Sequence, residues 1–107
     1  MTSELEPAVQ QLLDAANKGD VTGFLATFTE DGVVDDWGRE FRGAAAIQGW
    51  SDAEFIGKQV TLAVQQVTRR GNETVVTAQV GGNGFNGPSH FAFLVSGDRV
   101  ARMTIRE

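Results

Sequence analysis

The chain has 107 residues and a net charge of −5, and this length is typical of one domain. Its nine lysines and arginines are scattered, which argues against the basic surface that nucleic acid binding requires. Cysteine is absent, which excludes disulfides, a thiol nucleophile and a thiolate zinc site. No apolar run reaches the roughly 20 residues that span a bilayer, and no signal-peptide pattern is found. We therefore expect a single cytoplasmic domain over residues 1–107, with no nucleic acid or membrane partner.

Two helices are predicted at the start of the chain. The first has apolar residues at spacings of three and four, which share one face: Leu5, Val9, Leu12, Leu13 and Ala16. Ser3 and Glu6 have the spacing of a capping box, but Pro7 favours a start nearer Glu6. Gly19 ends this helix and Asp20 caps a short second one. The apolar face of the second helix consists of Val21, Phe24, Leu25 and Phe28.

Two short extended segments follow the helices. Residues 30–32 form a polar turn, after which two valines lead to a pair of aspartates. Residues 37–39 are predicted to turn the chain, and residues 40–42 alternate as a short strand does.

A third helix is predicted after Gly43, where three alanines favour helix formation. Gly49 weakens this helix, and Ser51 with Glu54 has the spacing of a new capping box. We therefore predict a break or kink near Trp50.

The second half of the chain alternates apolar and polar residues, which is the period of a β-strand. The alternation starts near Lys58, and further strands are predicted at residues 74–80, 89–95 and 100–105. Residues 81–88 contain four glycines and are predicted to be a wide, mobile loop. Helices followed by an antiparallel meander pack economically as an α+β domain, with the helices on the concave face of a curved sheet. Such packing leaves a hollow in which ligands bind.

Several segments resemble the NTF2-like superfamily, in its SnoaL-like and ketosteroid-isomerase-like branch. The resemblance rests on residues 16–20, 28–36 and 42–47, on the alternation of Phe91 and Phe93, and on the turn at residues 97–98. It implies a cone-shaped α+β half-barrel with a pocket between the helices and the inner face of the sheet. It also implies a homodimer that pairs through the outer face of the sheet. The fold itself hosts isomerases, cyclases, dehydratases, hydrolases and binding modules.

Asp36 is the first candidate for a catalytic role. The resemblance aligns it with the general-base aspartate of ketosteroid isomerases, just after the first short strand. At the mouth of an apolar pocket, desolvation disfavours the charged form of a carboxylate, and such an acid can take a proton next to a carbonyl. The alternative is that Asp35 and Asp36 are turn residues that face water.

Removal of a proton next to a carbonyl leaves an enolate, whose oxygen needs a hydrogen-bond donor. At the positions where ketosteroid isomerases carry these donors, this sequence has other residues. The chain has no tyrosine, and Leu12 stands where ketosteroid isomerases carry one. Ser89 stands where they, and SnoaL-type cyclases, carry a late-strand acid. A scytalone-dehydratase pattern needs more than the single His90, and no match is found to the Asp-Arg-Asp set of limonene epoxide hydrolases.

The remaining candidates are pocket residues. They are Asp35, Trp37, Trp50, Phe55, Phe85, Ser89 and Phe91. Trp37 beside the acid and Phe85 in the glycine-rich loop are candidates to close over a ligand, whereas Trp50 is equally explained as core. Alternation with Phe91 predicts that His90 points outward, so a catalytic His90 requires a bulge near Pro88.

Three hypotheses about function follow from these residues. The first is an isomerase or cyclase that uses Asp36 as base and Ser89 or a tryptophan N–H as oxyanion donor. The second is a non-catalytic module that binds a small apolar metabolite. The third is an interaction domain whose cavity is filled by phenylalanine side chains. No cofactor and no metal are expected, because one histidine and dispersed acids offer no ligand set.

Overall fold

The computed structural model describes residues 5–106, which form three α-helices and six β-strands. The helices are α1 (Pro7–Lys18), α2 (Val21–Ala26) and α3 (Ala44–Glu54), and a short 3₁₀ turn (Ile56–Lys58) follows α3. The strands are β1 (Phe28–Asp36), β2 (Arg39–Arg42), β3 (Thr61–Arg70), β4 (Glu73–Gly81), β5 (Gly87–Ser96) and β6 (Arg99–Arg106). The predicted order of helices and strands is confirmed.

The six strands form one curved sheet in the order β2-β1-β6-β5-β4-β3. All neighbours are antiparallel except β1 and β6, which run parallel. The helices cover the concave face, where their buried side chains and those of the sheet form one apolar core. This arrangement confirms the predicted α+β cone-shaped half-barrel. No helix within residues 5–106 is long and apolar enough to cross a membrane, and the cytoplasmic location remains a prediction.

The ends of the first two helices follow the predicted signals. Helix α1 starts at Pro7, next to Glu6, and ends at Gly19, whose φ of 71° is the left-handed conformation that glycine adopts easily. The Asp20 side chain accepts a hydrogen bond from the Gly23 N–H at 2.9 Å and so caps α2. The capping box that involves Ser3 lies outside the described residues.

Strand β1 is longer than predicted. Phe28 was expected on α2, but it begins β1 and pairs with Val100 of β6. The polar residues 30–32 lie within the strand, where the register with β6 shifts between Phe28 and Val33. The irregularity accommodates polar turn residues without ending the strand.

Helix α3 is continuous, so the predicted break near Trp50 is wrong. Ile47 and Trp50 are both buried against the core, and this packing outweighs the weak helix preference of Gly49. Ser51 does not cap a new helix. It is buried within α3, where its hydroxyl accepts a hydrogen bond from the Ile56 N–H at 3.4 Å.

Burial along β3 follows the predicted alternation of apolar and polar residues only in part. Leu62 is buried as expected, but the Val64 residue is 45% exposed. The pairing with β4 shifts between Val64 and Gln66, and after this irregularity Val67 packs against the core. The connection from β4 to β5 is also shorter than predicted, because both strands extend into the glycine-rich segment and leave only residues 82–86 between them.

Candidate functional site

A cavity of about 430 Å³ lies between the concave face of the sheet, the end of α3 and the connection between β4 and β5. Its wall includes seven of the residues selected from the sequence, namely Asp36, Trp37, Trp50, Phe55, Phe85, Ser89 and Phe91. The cavity is large enough for a small organic ligand. Two further candidates, Asp35 and His90, do not line the cavity.

Asp36 ends β1 and points into the cavity. Its Oδ2 accepts a hydrogen bond from the Trp50 indole N–H at 3.0 Å and one from Arg39 Nη2 at 2.7 Å. Within residues 5–106, no hydrogen bond reaches the other carboxylate oxygen, Oδ1. One oxygen of Asp36 is therefore held in place, and the other is available to a ligand.

Arg39 links Asp36 to a second carboxylate at the cavity. Its guanidinium donates to both oxygens of Glu54, at 3.0 and 2.7 Å, in addition to its bond with Asp36. The hydrogen bonds from Arg39 lower the pKa of Glu54, and those to Glu54 and then Asp36 raise the pKa of Arg39. The mouth of the cavity is thus more polar than the sequence predicts, because three charged groups meet there.

Aromatic rings form much of the remaining wall. Trp50 stacks on Phe55 with the ring centroids 4.8 Å apart and an angle of 24° between the planes. Phe91 is buried deeper on β5. Trp37 and Phe85 are 56% and 52% exposed, so these two rings lie at the rim of the cavity. A ligand with an apolar body would contact aromatic surface both inside the cavity and at its mouth.

Ser89 contributes the one hydroxyl that the sequence selects for the cavity. It is only 4% exposed and lies on the concave face of β5 with Phe91. Among the described residues, no group forms a hydrogen bond with its Oγ. Because a buried polar group without a partner costs free energy, this hydroxyl is well suited to bind a polar atom of a ligand.

Asp35 lies on the opposite face of the sheet from the cavity, although the sequence selects it as a pocket residue. Neighbouring residues of a strand point to opposite faces, so Asp35 and Asp36 cannot both face the cavity. Asp35 accepts hydrogen bonds from Arg106 at 3.0 Å and Arg102 at 2.8 Å. The bonds from Arg106, together with the Gly38 N–H and Arg102, lower the pKa of Asp35 despite its burial.

His90 also lies away from the cavity, as its alternation with Phe91 predicts. It is exposed on the outer face of β5, and its Nδ1 is 2.8 Å from the Thr77 hydroxyl oxygen. The bulge that would turn it inward is not present, since β4 and β5 pair in regular register from Val80 and Gly87 onward. Among the described residues, no group of three or more histidines and acids is arranged to hold a metal ion.

Sequence reasoning does not single out Arg39 and Glu54, although both line the cavity. They are 15 positions apart, and only the packing of α3 beside β2 brings them together. Of the two, only Arg39 could have been predicted to lie beside Asp36. A two-residue turn separates Arg39 from Asp36, and such a turn places the residues that flank it opposite each other.

The cone-shaped fold with a cavity on its concave face defines an NTF2-like protein. The family model of the SnoaL-like domain matches residues 9–104, and the chain therefore belongs to this family. No curated protein sequence is significantly similar to the chain.

Several solved structures are similar to this chain over nearly its whole length. A proposed polyketide cyclase from Sinorhizobium meliloti is 28% identical, with a TM-score of 0.87 over 96% of both chains. A Sphaerobacter thermophilus protein is 27% identical, with a TM-score of 0.78 over 92% of this chain and 91% of that one. A Mycobacterium tuberculosis protein in complex with estradiol-17beta-hemisuccinate is 16% identical, with a TM-score of 0.80 over 96% of this chain and 95% of that one. At 16% identity the last comparison shows the shared fold alone.

Proposed function

We propose that this protein binds a small, mainly apolar carbonyl compound in its cavity, and that Asp36 acts as a general base on it. The observation that carries the proposal is that Asp36 lines a cavity with five aromatic rings in its wall, while its Oδ2 is held by Trp50 and Arg39 and its Oδ1 has no partner among the described residues. A base that is fixed in this way is already oriented toward its substrate. The SnoaL-like family and the proposed polyketide cyclase among its structural relatives support chemistry of this kind.

The proposed reaction is a proton transfer next to a carbonyl. Asp36 Oδ1 takes the proton from the α-carbon, the C–H bond breaks, and its electron pair moves onto the carbonyl oxygen as an enolate. The Ser89 hydroxyl is the proposed donor to that oxygen, because it is buried at the wall and has no partner among the described residues. The Trp50 N–H is already bound to Asp36, so it is not available for this role. The proton then returns from Asp36 to carbon.

A second candidate function is binding without catalysis. The observation that favours it is the ion pair of Asp36 with Arg39, because structural ion pairs of this kind also occur where no reaction takes place. In that case the aromatic wall supplies the affinity, and Asp36 serves to hold Arg39 and Trp50 at the mouth of the cavity. The two functions share a cavity and differ in whether Asp36 exchanges a proton with the ligand.

Thermal unfolding and isotope exchange separate these two functions. β-Tetralone is a suitable probe because it has an apolar bicyclic body and acidic protons next to its carbonyl. At about 100 times its dissociation constant a ligand adds roughly 2.7 kcal/mol of stability, which raises the melting temperature measurably. Exchange of its α-protons is followed by NMR in deuterated water, for the wild type and for Asp36→Asn.

We expect the wild type to accelerate exchange above the buffer rate and Asp36→Asn to lose at least about a hundredfold of this acceleration, the usual contribution of a general base. Asp98→Asn makes the same chemical change in the exposed turn between β5 and β6, and it should retain full exchange. Binding without accelerated exchange would favour the non-catalytic function. If neither β-tetralone nor a steroid ketone such as progesterone stabilises the protein, the proposed ligand class is wrong.

We also propose that two copies of the chain pair through the outer face of the sheet, as the family resemblance implies. The outer face carries Leu94, an apolar side chain on β5 that is 36% exposed. The cavity opens on the concave side, so such a homodimer leaves its mouth free.

A further inference from the structure

Asp35 is a buried carboxylate for which the proposed reaction has no use. Its side chain is 9% exposed, and it sits between Arg102 and Arg106 on the outer face of the sheet. Arg102 in turn binds Glu40 at 2.7 Å, so the cluster contains two acids and two arginines. Burial of a carboxylate is costly unless it is paired and hydrogen-bonded, and Asp35 meets both conditions.

One of the bonds to Asp35 does not belong to this ion cluster. The backbone N–H of Gly38 donates to Asp35 Oδ1 at 2.7 Å. Gly38 and Trp37 form the two-residue turn between β1 and β2, since Asp36 and Arg39 pair directly across it. Asp35 therefore anchors the turn from the outer face of the sheet.

This turn has a backbone conformation that needs support. Both central residues have positive φ, 57° at Trp37 and 90° at Gly38, which is the pattern of the tight turns that suit β-hairpins. Glycine adopts this conformation freely, but a tryptophan in it is strained. Two hydrogen bonds oppose the strain: the Gly38 N–H to Asp35, and the Trp37 N–H to the Ile105 carbonyl at 3.3 Å.

The same turn carries two parts of the cavity wall. Trp37 places its indole at the rim, and Arg39, the next residue after the turn, reaches both Asp36 and Glu54. A shift of the turn would move the rim indole and the guanidinium that holds Asp36.

We propose that Asp35 is a positioning residue of the cavity, which acts from the opposite face of the sheet through its hydrogen bond to Gly38. The arginines hold the carboxylate, the carboxylate holds the turn, and the turn holds Trp37 and Arg39 at the mouth. The effect on ligand affinity rests on the proposed function. The effect on the turn itself does not.

Two substitutions separate the hydrogen bond from the charge. Asp35→Asn removes the charge but retains an oxygen that accepts from Gly38. Asp35→Glu retains the charge for the two arginines, but its longer side chain carries the acceptor away from Gly38. Glu40→Gln is the control, because it removes a carboxylate of the same cluster without contact to the turn.

Fluorine NMR of the whole chain, labelled with fluorotryptophan, reports on the turn directly. The two signals belong to Trp37 and Trp50, and loss of one signal in Trp37→Phe assigns them. We expect Asp35→Glu to shift or broaden the Trp37 signal strongly and Asp35→Asn to shift it less, because the amide keeps an acceptor for Gly38 but turns its NH2 group toward the two arginines. Glu40→Gln should leave the signal near its wild-type position. The proposal is overturned if Asp35→Glu leaves the Trp37 signal in place, or if Asp35→Asn displaces it equally.

A measurement on the wild type covers the case in which Asp35→Glu does not fold. The Gly38 amide proton should exchange with deuterated water much more slowly than an unprotected turn amide. Exchange at the unprotected rate would contradict the hydrogen bond and with it the proposal.

The affinity for β-tetralone completes the test. Displacement of Trp37 and Arg39 at the mouth should weaken binding by about tenfold in Asp35→Glu, which is about 1.4 kcal/mol, and less in Asp35→Asn. Unchanged affinity in a folded Asp35→Glu variant would show that the turn does not control the cavity. If the wild type binds no β-tetralone, the proposed function fails, while the fluorine and amide results still decide the role of Asp35 in the turn.

Discussion

Trp37 combines an unfavourable backbone conformation with an exposed side chain. Its φ of 57° costs about 1 kcal/mol for a residue with a Cβ, while Asn tolerates this region much better. We predict that Trp37→Asn raises the free energy of unfolding by about 1 kcal/mol in a urea titration and at the same time weakens binding of β-tetralone. A residue that is kept at a cost to stability points to a use in binding.

Phe85 provides the control for this prediction. Its ring is exposed at the same rim, but its backbone has no positive φ. Phe85→Asn should weaken binding without any gain in stability. If Trp37→Asn is less stable than the wild type, or binds β-tetralone as well, strain at Trp37 has no connection with the cavity.

Single residues of the site were predictable where one local rule decides their direction. Strand alternation correctly places Ser89 with Phe91 on the concave face and His90 outside. Strand alternation also predicts that Asp35 and Asp36 lie on opposite faces of the sheet. It does not predict which of the two faces the cavity. The pairing of Arg39 with Glu54 could not be predicted, because it depends on how α3 docks on the sheet.

Glu6, the residue just before helix α1, joins that end of the helix to the sheet. The Glu6 carboxylate accepts hydrogen bonds from the buried Thr74 hydroxyl at 2.6 Å and from Arg69 at 3.1 Å. Burial raises the pKa of Glu6, but the bonds from Thr74 and Arg69 outweigh it, and the net effect lowers that pKa below 4.5. The carboxylate therefore stabilises the fold above about pH 4.5, and this stabilisation is lost as the pH falls through the lower pKa of the folded state.

We predict that the free energy of unfolding falls between pH 6 and pH 3, and that Glu6→Gln reduces this fall by on the order of 0.5–1 kcal/mol, as expected for a partly exposed pair. Urea titrations at several pH values measure it. Glu30→Gln, at an exposed position of β1, controls for removing one carboxylate. An equal pH dependence in Glu6→Gln and the wild type would contradict the proposed link between α1 and the sheet.

Secondary structure was predictable where local and tertiary preferences agree. The end of α1 at Gly19 and the cap of α2 by Asp20 depend on local chemistry, and both are confirmed. The break in α3 was predicted from Gly49, but burial of Trp50 overrides that weak preference. The irregularity after Val64 could not be predicted, because no glycine or proline within residues 61–70 marks it.

The proposed homodimer is a property of the whole molecule. We predict that Leu94→Lys shifts the protein from dimer to monomer in light scattering after size-exclusion chromatography, because it places a charge on the outer face. Binding of β-tetralone should persist, since the cavity lies on the other side of the sheet.

Val64→Lys is the matched control for the dimer. Val64 is also an exposed apolar strand residue, but it pairs with the buried Ala78 and so lies on the concave side. This variant should remain dimeric. A wild type that is monomeric at micromolar concentration would refute the homodimer, and loss of the dimer in both variants would refute its assignment to the outer face.

The parallel pairing of β1 with β6 also determines the order in which the molecule can assemble. Asp35 of β1 pairs with Thr104 of β6. One edge of β1, an early strand, therefore stays unpaired until β6, the last described strand, is in place. Contacts so distant along the chain close slowly, because the intervening segment must lose its freedom first. The wall that carries Asp36 and the wall that carries Ser89 meet only through β6. The cavity is therefore absent from every partly folded form that lacks β6, and a ligand cannot stabilise such a form.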